Sequence, residues 1–297
     1  MAAETVIRDE SRSPEPALAG RHLGEVDRPR VELGGVLVDQ VDLPAALERI
    51  RGFLWSGSPH QIVTVNLDFL SIAGRDARFR DTINGADLAV ADGMPLVWVS
   101  HLKRQPLAQR ITGVELVSEA SRLAAATGHG VFMLGAAPGV AAAAARRLAA
   151  RYPGLQIAGI YSPPFGPLAP HENERIVRTI RDAAPGFLFV ALGAPRQDLW
   201  IRTHLERLCV PVAMGVGCVF DLLAGVVRRA PVWMQRAGFE WAFRLGQEPG
   251  RLWRRYFVDD LPLLGRLVLA SLRSAGPQVG QGAGGTAGPT RAADPMA

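Results

Sequence analysis

The chain has 297 residues, of which 48% are hydrophobic and 21% are charged, so it can bury one large core or two small ones, and we expect one main domain with an extension. Its formal net charge of +5 comes almost entirely from arginine, because Lys103 is the only lysine. Two cysteines exclude a disulfide framework and are typical of a reducing compartment. No apolar signal segment opens the sequence, and glycine and proline interrupt the longest uncharged stretch, 123–145. We therefore expect any contact with a membrane to be made at its surface.

Composition divides the chain into four regions. Residues 1–30 are rich in Pro, Glu, Arg and Ala, and residues 273–297 are rich in Gly, Ala, Pro and Thr, so both tails are predicted to be disordered. Residues 31–230 alternate apolar runs with amphipathic segments and are predicted to form an α/β core. Residues 231–272, called the appendage below, are predicted to be helical.

Short apolar strands alternate with helices through the core. The predicted strands are 31–38, 62–65, 88–91, 131–134, 156–160, 187–192 and 210–216. The predicted helices are 44–55, 68–84, 95–102, 114–127, 140–152, 171–183 and 196–208. Nearly all-apolar strands separated by helices of this length predict a Rossmann-like parallel sheet with helices on both faces.

Two glycine-rich turns follow strands of this sheet. Ligands bind outside the carboxyl ends of parallel strands, and Gly135 and Gly193 begin turns there, at 135–139 and 193–197. Each turn feeds a helix whose first amides could accept a phosphate or a nucleobase. Neither has the spacing of a G-x-G-x-x-G motif or a P-loop, and each taken alone is better explained as an ordinary turn that connects a strand to a helix.

Polar residues also lie at predicted strand exits. Asp92 directly follows strand 88–91, so its carboxylate should emerge at the ligand edge and could act as a general base; capping of the next helix explains it equally well. Thr64 and Asn66 fit a strand exit that faces the same cleft. Arg110 lies in a polar loop and could contact a substrate, although a lone loop arginine is usually solvated.

Positive charge is concentrated at the end of the core and in the appendage. Eight arginines and four acidic residues lie between positions 228 and 266, which suits an anionic partner such as lipid phosphate or nucleic acid. Arginine also clamps phosphate oxygens, and the intervening aromatic rings suit either a bilayer interface or core packing. Pro249 predicts a break between a helix that carries Arg244 and a second helix that carries Arg251 and Arg254 one turn apart.

The sequence lacks the motifs that metal-dependent enzymes and serine hydrolases use. The sequence has no D-x-D, H-E-x-x-H or C-x-x-C spacing, and no G-x-S-x-G elbow. It therefore predicts neither a metal site nor a hydrolase triad.

A series of short motifs occurs in order through the core and the appendage. They are Thr-Val-Asn at 64–66, Ala-Asp-Gly at 91–93, Gln-Arg-Ile-Thr-Gly at 109–113, Gly-Ala-Pro-Arg-Gln at 193–197, Gly-Val-Gly at 215–217 with Phe-Asp at 220–221, Arg-Ala-Pro at 229–231, and Glu-Trp-Ala-Phe-Arg at 240–244 with Glu-Pro at 248–249. Each motif is weak alone, but the ordered set, from about residue 31 to about residue 260, resembles the WecG/TagA/CpsF glycosyltransferases.

The resemblance implies transfer of a sugar from a UDP-sugar to a polyprenyl-diphosphate-linked sugar acceptor, with inversion and with no metal ion or other cofactor. It implies a peripheral enzyme on the inner face of the cytoplasmic membrane, with the appendage as both active-site lid and membrane contact. Asp92 would be the general base. The donor sugar and the reacting centre would be surrounded by Thr64, Asn66, Arg110 and Gln197, and the leaving diphosphate would be neutralised by the lid residues Arg244, Arg251 and Arg254. Independently of the resemblance, the two glycine turns add Gly135 and Gly193 as substrate-binding positions, through the helix N-termini that follow them.

Two other functions remain open at this point. A nicotinamide-dependent oxidoreductase would use a similar sheet, but the glycine spacing disfavours it. A non-catalytic module that binds an anionic surface would need the basic appendage and would have no use for Asp92. We expect no nucleic-acid partner. The donor sugar, the acceptor lipid and homo-oligomer formation stay undetermined.

Overall fold

A six-stranded parallel sheet forms the centre of the fold in a computed structural model that describes residues 28–236 and 238–274. The strands are β1 (Arg30–Leu33), β2 (Val36–Asp39), β3 (His60–Val65), β4 (Leu88–Ala91), β5 (Gly130–Gly135), β6 (Gln156–Tyr161), β7 (Phe187–Ala191) and β8 (Val212–Gly215). The sheet order is β4-β3-β8-β7-β5-β6, and every pairing in it is parallel. The predicted Rossmann-like α/β fold is confirmed.

The core helices cover both faces of this sheet. They are α1 (Leu43–Trp55), α2 (Leu67–Ala73), α3 (Ala77–Asn84), α4 (Met94–Leu102), α5 (Gly113–Thr127), α6 (Val140–Arg151), α7 (Pro170–Ala183), α8 (Arg196–Leu208) and α9 (Val219–Ala224). Helices α1, α5, α6 and α9 enclose one hydrophobic cluster, and the hairpin β1–β2 with α2, α3 and α4 encloses a second one. Helices α7 and α8 enclose a third cluster, on the other face of β5, β7 and β8.

Two predicted elements are each divided in the structure. The predicted strand 31–38 is wrong as one strand, because Gly34 and Gly35 have φ of +61° and +85° and turn it into the antiparallel hairpin β1–β2. The predicted helix 68–84 is also wrong as one helix. It ends at Gly74 and restarts after Asp76, whose carboxylate accepts a hydrogen bond from the N–H of Phe79 at 3.2 Å.

Most described residues of the appendage are helical. It contains α10 (Val232–Arg236), α11 (Glu240–Gln247), α12 (Pro249–Arg254), a π-helical segment (Arg255–Asp260) and α13 (Leu261–Ser274). The predicted break at Pro249 is confirmed. Helix α13 packs Leu263, Leu264 and Leu267 against the cluster of the β1–β2 hairpin, which anchors the appendage on the core.

The predicted disordered tails lie almost entirely outside the described residues, as does Ala237. Within the described part of the chain, no helix combines the length and the apolar character needed to span a bilayer.

Candidate active site

Asp92 lies at the carboxyl edge of the sheet, immediately after β4. Its N–H donates to the carbonyl of Val65 at 2.7 Å, which joins the exits of β3 and β4. Its Oδ2 accepts a hydrogen bond from the N–H of Gly113 at 3.1 Å. The residue is partly buried, so the carboxylate is held by backbone contacts and keeps some exposure at the edge of the sheet where the sequence predicts the substrate cleft.

The environment of Asp92 makes it a better base than an ordinary aspartate. Burial raises the pKa of its carboxyl to about 6, while the Gly113 N–H and the positive charge of Arg110 act to lower it. The negative charges of Glu240 and Glu115 add to the rise. A carboxyl with a pKa near the working pH can accept a proton and release it again, as general-base catalysis needs.

Thr64 and Gly113 complete the immediate surroundings of Asp92. A Cβ atom on Gly113 would lie 3.7 Å from Asp92 Oδ2 and 3.9 Å from Thr64 Oγ1, so the two oxygens face the same bare backbone. That Cβ would also lie 3.2 Å from Val219 Cγ2, which makes a larger residue at position 113 a tight fit. The structure therefore brings Thr64 and Asp92 together, as the sequence predicts.

Asn66 and Gln197 are close to the cleft but have structural partners. The Oδ1 atom of Asn66 caps α2 by accepting from the N–H of Phe69 at 3.1 Å. Gln197 is 2% exposed, and its Oε1 accepts from the N–H of Gly217 at 3.0 Å. Gln197 thus holds the turn after β8, and direct contact of its amide with a donor sugar stays a prediction.

The two glycine turns share this edge of the sheet but lie farther from Asp92. With strands spaced at about 4.8 Å, β5 and Gly135 are roughly 19 Å from β4, and β7, which precedes Gly193, is roughly 14 Å away. A Cβ on Gly135 would come within 2.3 Å of the carbonyl oxygen of Ala191, so close packing explains this glycine. Gly193 has φ +79° and faces open space. The substrate-binding roles of both turns stay predictions.

An ion-pair network connects the appendage to the cleft. Arg110 Nη1 lies 3.2 Å from Glu240 Oε2, and Arg229 Nε lies 3.5 Å from Glu240 Oε1. Arg229 Nη2 also donates to Thr112 Oγ1 at 3.4 Å. Sequence reasoning assigned no role to Arg229 or Glu240, although both lie in motifs that it quoted. Arg110 is 130 residues from Glu240 and Thr112 is 117 residues from Arg229, so no local pattern signals these two contacts.

The three predicted lid arginines differ in position. Arg244, on α11, donates from Nη2 to Cys218 Sγ at 3.2 Å and so contacts the turn after β8. Arg254 is exposed on α12. Arg251 lies on the same helix, but its side chain is outside the described part of the structure. Arg244 is therefore the lid arginine that the described contacts join to the core.

A serine–histidine–aspartate series occurs at the opposite edge of the sheet. Ser56 Oγ lies 2.7 Å from His60 Nε2, and His60 Nδ1 lies 3.1 Å from Asp87 Oδ1. The hydroxyl follows the C-terminus of α1 and donates to the carbonyl of Phe53 at 3.0 Å. It also accepts from the N–H of Ser58 at 3.1 Å, so its hydrogen bonds hold together the turn between α1 and β3. We assign these contacts a structural role.

Comparison with known proteins identifies the family. The profile described as "Glycosyl transferase WecG/TagA/CpsF family" matches residues 31–276. This chain belongs to that family. Proteins of Staphylococcus aureus strains NCTC 8325 / PS 47 and MRSA252 are each 34% identical to it over 217 residues, which cover 72% of this chain and 84% of each relative. Both are named N-acetylglucosaminyldiphosphoundecaprenol N-acetyl-beta-D-mannosaminyltransferase.

Family membership decides between the three functions that the sequence left open. The chain is a glycosyltransferase, and the oxidoreductase and the non-catalytic module are set aside. Among the described residues, no group of three or more His, Cys, Asp or Glu side chains is placed to hold a metal ion.

Proposed function

We propose that this member of the family transfers a sugar from a UDP-sugar to a polyprenyl-diphosphate-linked sugar, with inversion and without a metal ion. The observation that carries the proposal is the carboxyl of Asp92, held at the cleft edge beside Thr64 and Arg110 with its pKa raised to about 6. The names of the two relatives, which specify a diphosphoundecaprenol-linked acceptor, support the acceptor class.

Asp92 is the carboxyl best suited to serve as the base. Glu240 is paired with two guanidinium groups, and Glu115 accepts hydrogen bonds from the backbone and the hydroxyl of Thr112. Asp92 would take the proton of the acceptor hydroxyl while the oxygen of that hydroxyl attacks the anomeric carbon of the donor sugar. The bond from that carbon to the UDP oxygen would break on the opposite face, so a single displacement inverts the centre.

The leaving diphosphate requires positive charge. Arg110, Arg229 and Arg244 are held by contacts that link the loop after α4, the end of the core and the appendage, and α12 carries Arg251 and Arg254 in sequence. Arginine binds phosphate oxygens in a bidentate fork, and such preorganised donors stabilise charge that develops in a transition state. A diphosphate would compete with Glu240 for Arg110 and Arg229.

We also propose that the enzyme works at the inner face of the cytoplasmic membrane, where a polyprenyl acceptor would reside. The appendage exposes a set of large apolar side chains: Trp233 (66%), Phe239 (51%), Trp241 (42%), Trp253 (59%), Phe257 (37%) and Val258 (57%). Aromatic rings beside arginines are typical of a bilayer interface with anionic lipids. An enzyme held there would meet its lipid-linked acceptor directly.

A transfer assay tests this function. The full chain is incubated with N-acetylglucosaminyl-diphosphopolyprenol and a panel of UDP-sugars, with and without EDTA, and the product is analysed by mass spectrometry and NMR. We expect UDP release coupled to one added sugar, an inverted anomeric centre, and no loss of rate with EDTA. A product that retains the donor configuration, or a requirement for another nucleotide, would overturn the proposal.

A further inference from the structure

A buried carboxyl lies behind the turn that follows β8. Asp198, in the first turn of α8, has 0% exposure. Neither of its carboxyl oxygens has a hydrogen-bond partner among the described residues. An unpaired ionised carboxylate would be costly in such a place, whereas a neutral carboxylic acid is tolerated there.

The neighbouring Gln197 is fixed in one orientation against this carboxyl. Because the N–H of Gly217 is a donor, its partner at 3.0 Å must be Oε1 of Gln197, which leaves Nε2 on the other side of the amide. A Cβ on Gly215 would lie 2.6 Å from Gln197 Nε2 and 2.4 Å from Asp198 Oδ1. Both side chains therefore pack on the same bare face of Gly215.

These contacts continue to the lid. Gly217 is followed by Cys218, whose Sγ accepts the hydrogen bond from Arg244 Nη2 at 3.2 Å. The carboxyl of Asp198 is thus connected through Gln197 and the turn 215–218 to the arginine by which the appendage contacts the core.

We propose that Asp198 is a positioning residue that acts through Gln197 to hold the turn 215–218 in place for docking of Arg244. The proposal rests on the proposed function, because it gives Arg244 the task of stabilising the leaving diphosphate. Asp198 itself contacts no reacting atom in this assignment.

The protonation state of Asp198 controls this arrangement. Burial raises the pKa of its carboxyl to about 7, and the nearby side-chain amide of Gln197 and the N–H of Asp198 itself, although neither makes a well-formed hydrogen bond to the carboxyl, partly oppose that rise. The groups that face it are Gln197 from α8, the backbone of Gly215 from β8, and Gln61 from β3, whose Nε2 donates to the Asp198 carbonyl at 2.9 Å. No charged side chain in the described part of the chain contributes to the shift. The carboxyl is neutral below about pH 7 and charged above it, so docking should weaken as pH rises through that value.

The test compares Asp198→Asn, which stays neutral, with Asp198→Leu, which removes the polar group. Asp182→Asn is the matched control, because Asp182 is exposed on α7. For folded variants, kcat/KM is measured from pH 5 to pH 9. We expect wild type and Asp182→Asn to lose activity above about pH 7. Asp198→Asn should keep its activity there, and Asp198→Leu should lose about tenfold to a hundredfold at every pH, as small misplacements do.

A second measurement does not depend on transfer activity. Alkylation of Cys218 by iodoacetamide is followed by peptide mass spectrometry, with the exposed Cys209 as an internal control in the same chain. Above pH 7, the Cys218 rate should differ several-fold between wild type and Asp198→Asn, because only in wild type does the lid arginine leave the thiol and change its exposure and thiolate fraction, while Cys209 reacts equally in both. Equal Cys218 rates, or an alkaline limb that persists in Asp198→Asn, would overturn the inference. Absence of transfer from every UDP-sugar, with the Cys218 difference present, would instead overturn the proposed function.

Discussion

At the scale of single residues, the pKa of Asp92 predicts the acid limb of the pH profile. A base whose folded pKa is about 6 is protonated and inactive below that pH, so kcat/KM should rise as pH increases through about 6. Asp92→Asn cannot accept the proton and should lose at least about a hundredfold in kcat. Steady-state rates between pH 4.5 and pH 8 measure both effects.

The same variant provides its own check on folding. Because the folded pKa of Asp92 lies above its ordinary value of 3.8, the folded state binds a proton more readily, and the unfolding free energy falls as pH rises from about 4 to about 6. Asp92→Asn should therefore be at least as stable as wild type at pH 7, while the exposed Asp81→Asn should change neither rate nor stability. Near-normal turnover by a folded Asp92→Asn would remove this residue from the mechanism.

Glu240 and Arg110 should move that acid limb in opposite directions. The charge of Glu240 raises the pKa of Asp92 and the charge of Arg110 lowers it. Glu240→Gln should therefore shift the rise in kcat/KM to lower pH, and Arg110→Gln should shift it to higher pH. The midpoint of the limb is the measured quantity, so a simultaneous fall in the absolute rate does not affect the reading. Shifts of the same sign in both variants would show that the limb does not report Asp92.

At the scale of elements, a second ion-pair cluster fastens the appendage to α2. Arg255 Nε lies 3.3 Å from Asp68 Oδ1 and 3.7 Å from Asp260 Oδ2, and Arg75 Nη2 lies 2.9 Å from Asp259 Oδ1. Burial raises the pKa of Asp260 to about 6; Arg255 opposes this rise, and Asp68 and Asp259 add to it. Two arginines thus connect Asp68, on α2, with Asp259 and Asp260, on the π-helical segment.

Arg255→Met should loosen the appendage in a pH-dependent way. Once the charge of Arg255 is removed, the ionised carboxylates of Asp68, Asp259 and Asp260 repel one another. The loosening of the appendage should therefore be large at pH 8 and small at pH 5, where Asp260 is protonated. Limited proteolysis of the appendage measures the opening rate. Arg273→Met, an exposed change on α13, is the control. Equal sensitivity of Arg255→Met at both pH values would contradict this role of the cluster.

Local signals made some elements predictable and left others hidden. The Pro249 break follows from a missing N–H, and the edge position of Asp92 follows from an apolar run in a parallel sheet. The β1–β2 hairpin was missed because two glycines inside an apolar stretch were not interpreted as a turn. The burial of Asp198 had no local signal, since an acid in the first turn of a helix is ordinarily an exposed partner of the helix dipole.

For the molecule as a whole, we expect the surface that carries the exposed aromatic rings of the appendage to contact the lipid. Trp233, Trp253 and Trp55 are exposed to a similar extent but lie in different places. The first two are on the appendage, and Trp55 is at the end of α1, next to the amino ends of the strands. Burial of one large apolar side chain contributes roughly 1.5–3 kcal/mol. Trp233→Ser with Trp253→Ser should therefore weaken binding to anionic vesicles at least about tenfold, and Trp55→Ser should not.

Vesicle sedimentation and turnover together separate membrane contact from catalysis. With a short-chain, water-soluble acceptor, the double variant should turn over at the wild-type rate, because neither tryptophan contacts Asp92 or its arginines in the described contacts. With an acceptor embedded in vesicles, its rate should fall in proportion to the bound fraction. If Trp55→Ser weakened vesicle binding as much as the double variant, the lipid-facing surface would lie at the opposite edge of the sheet, and the cleft would open away from its acceptor.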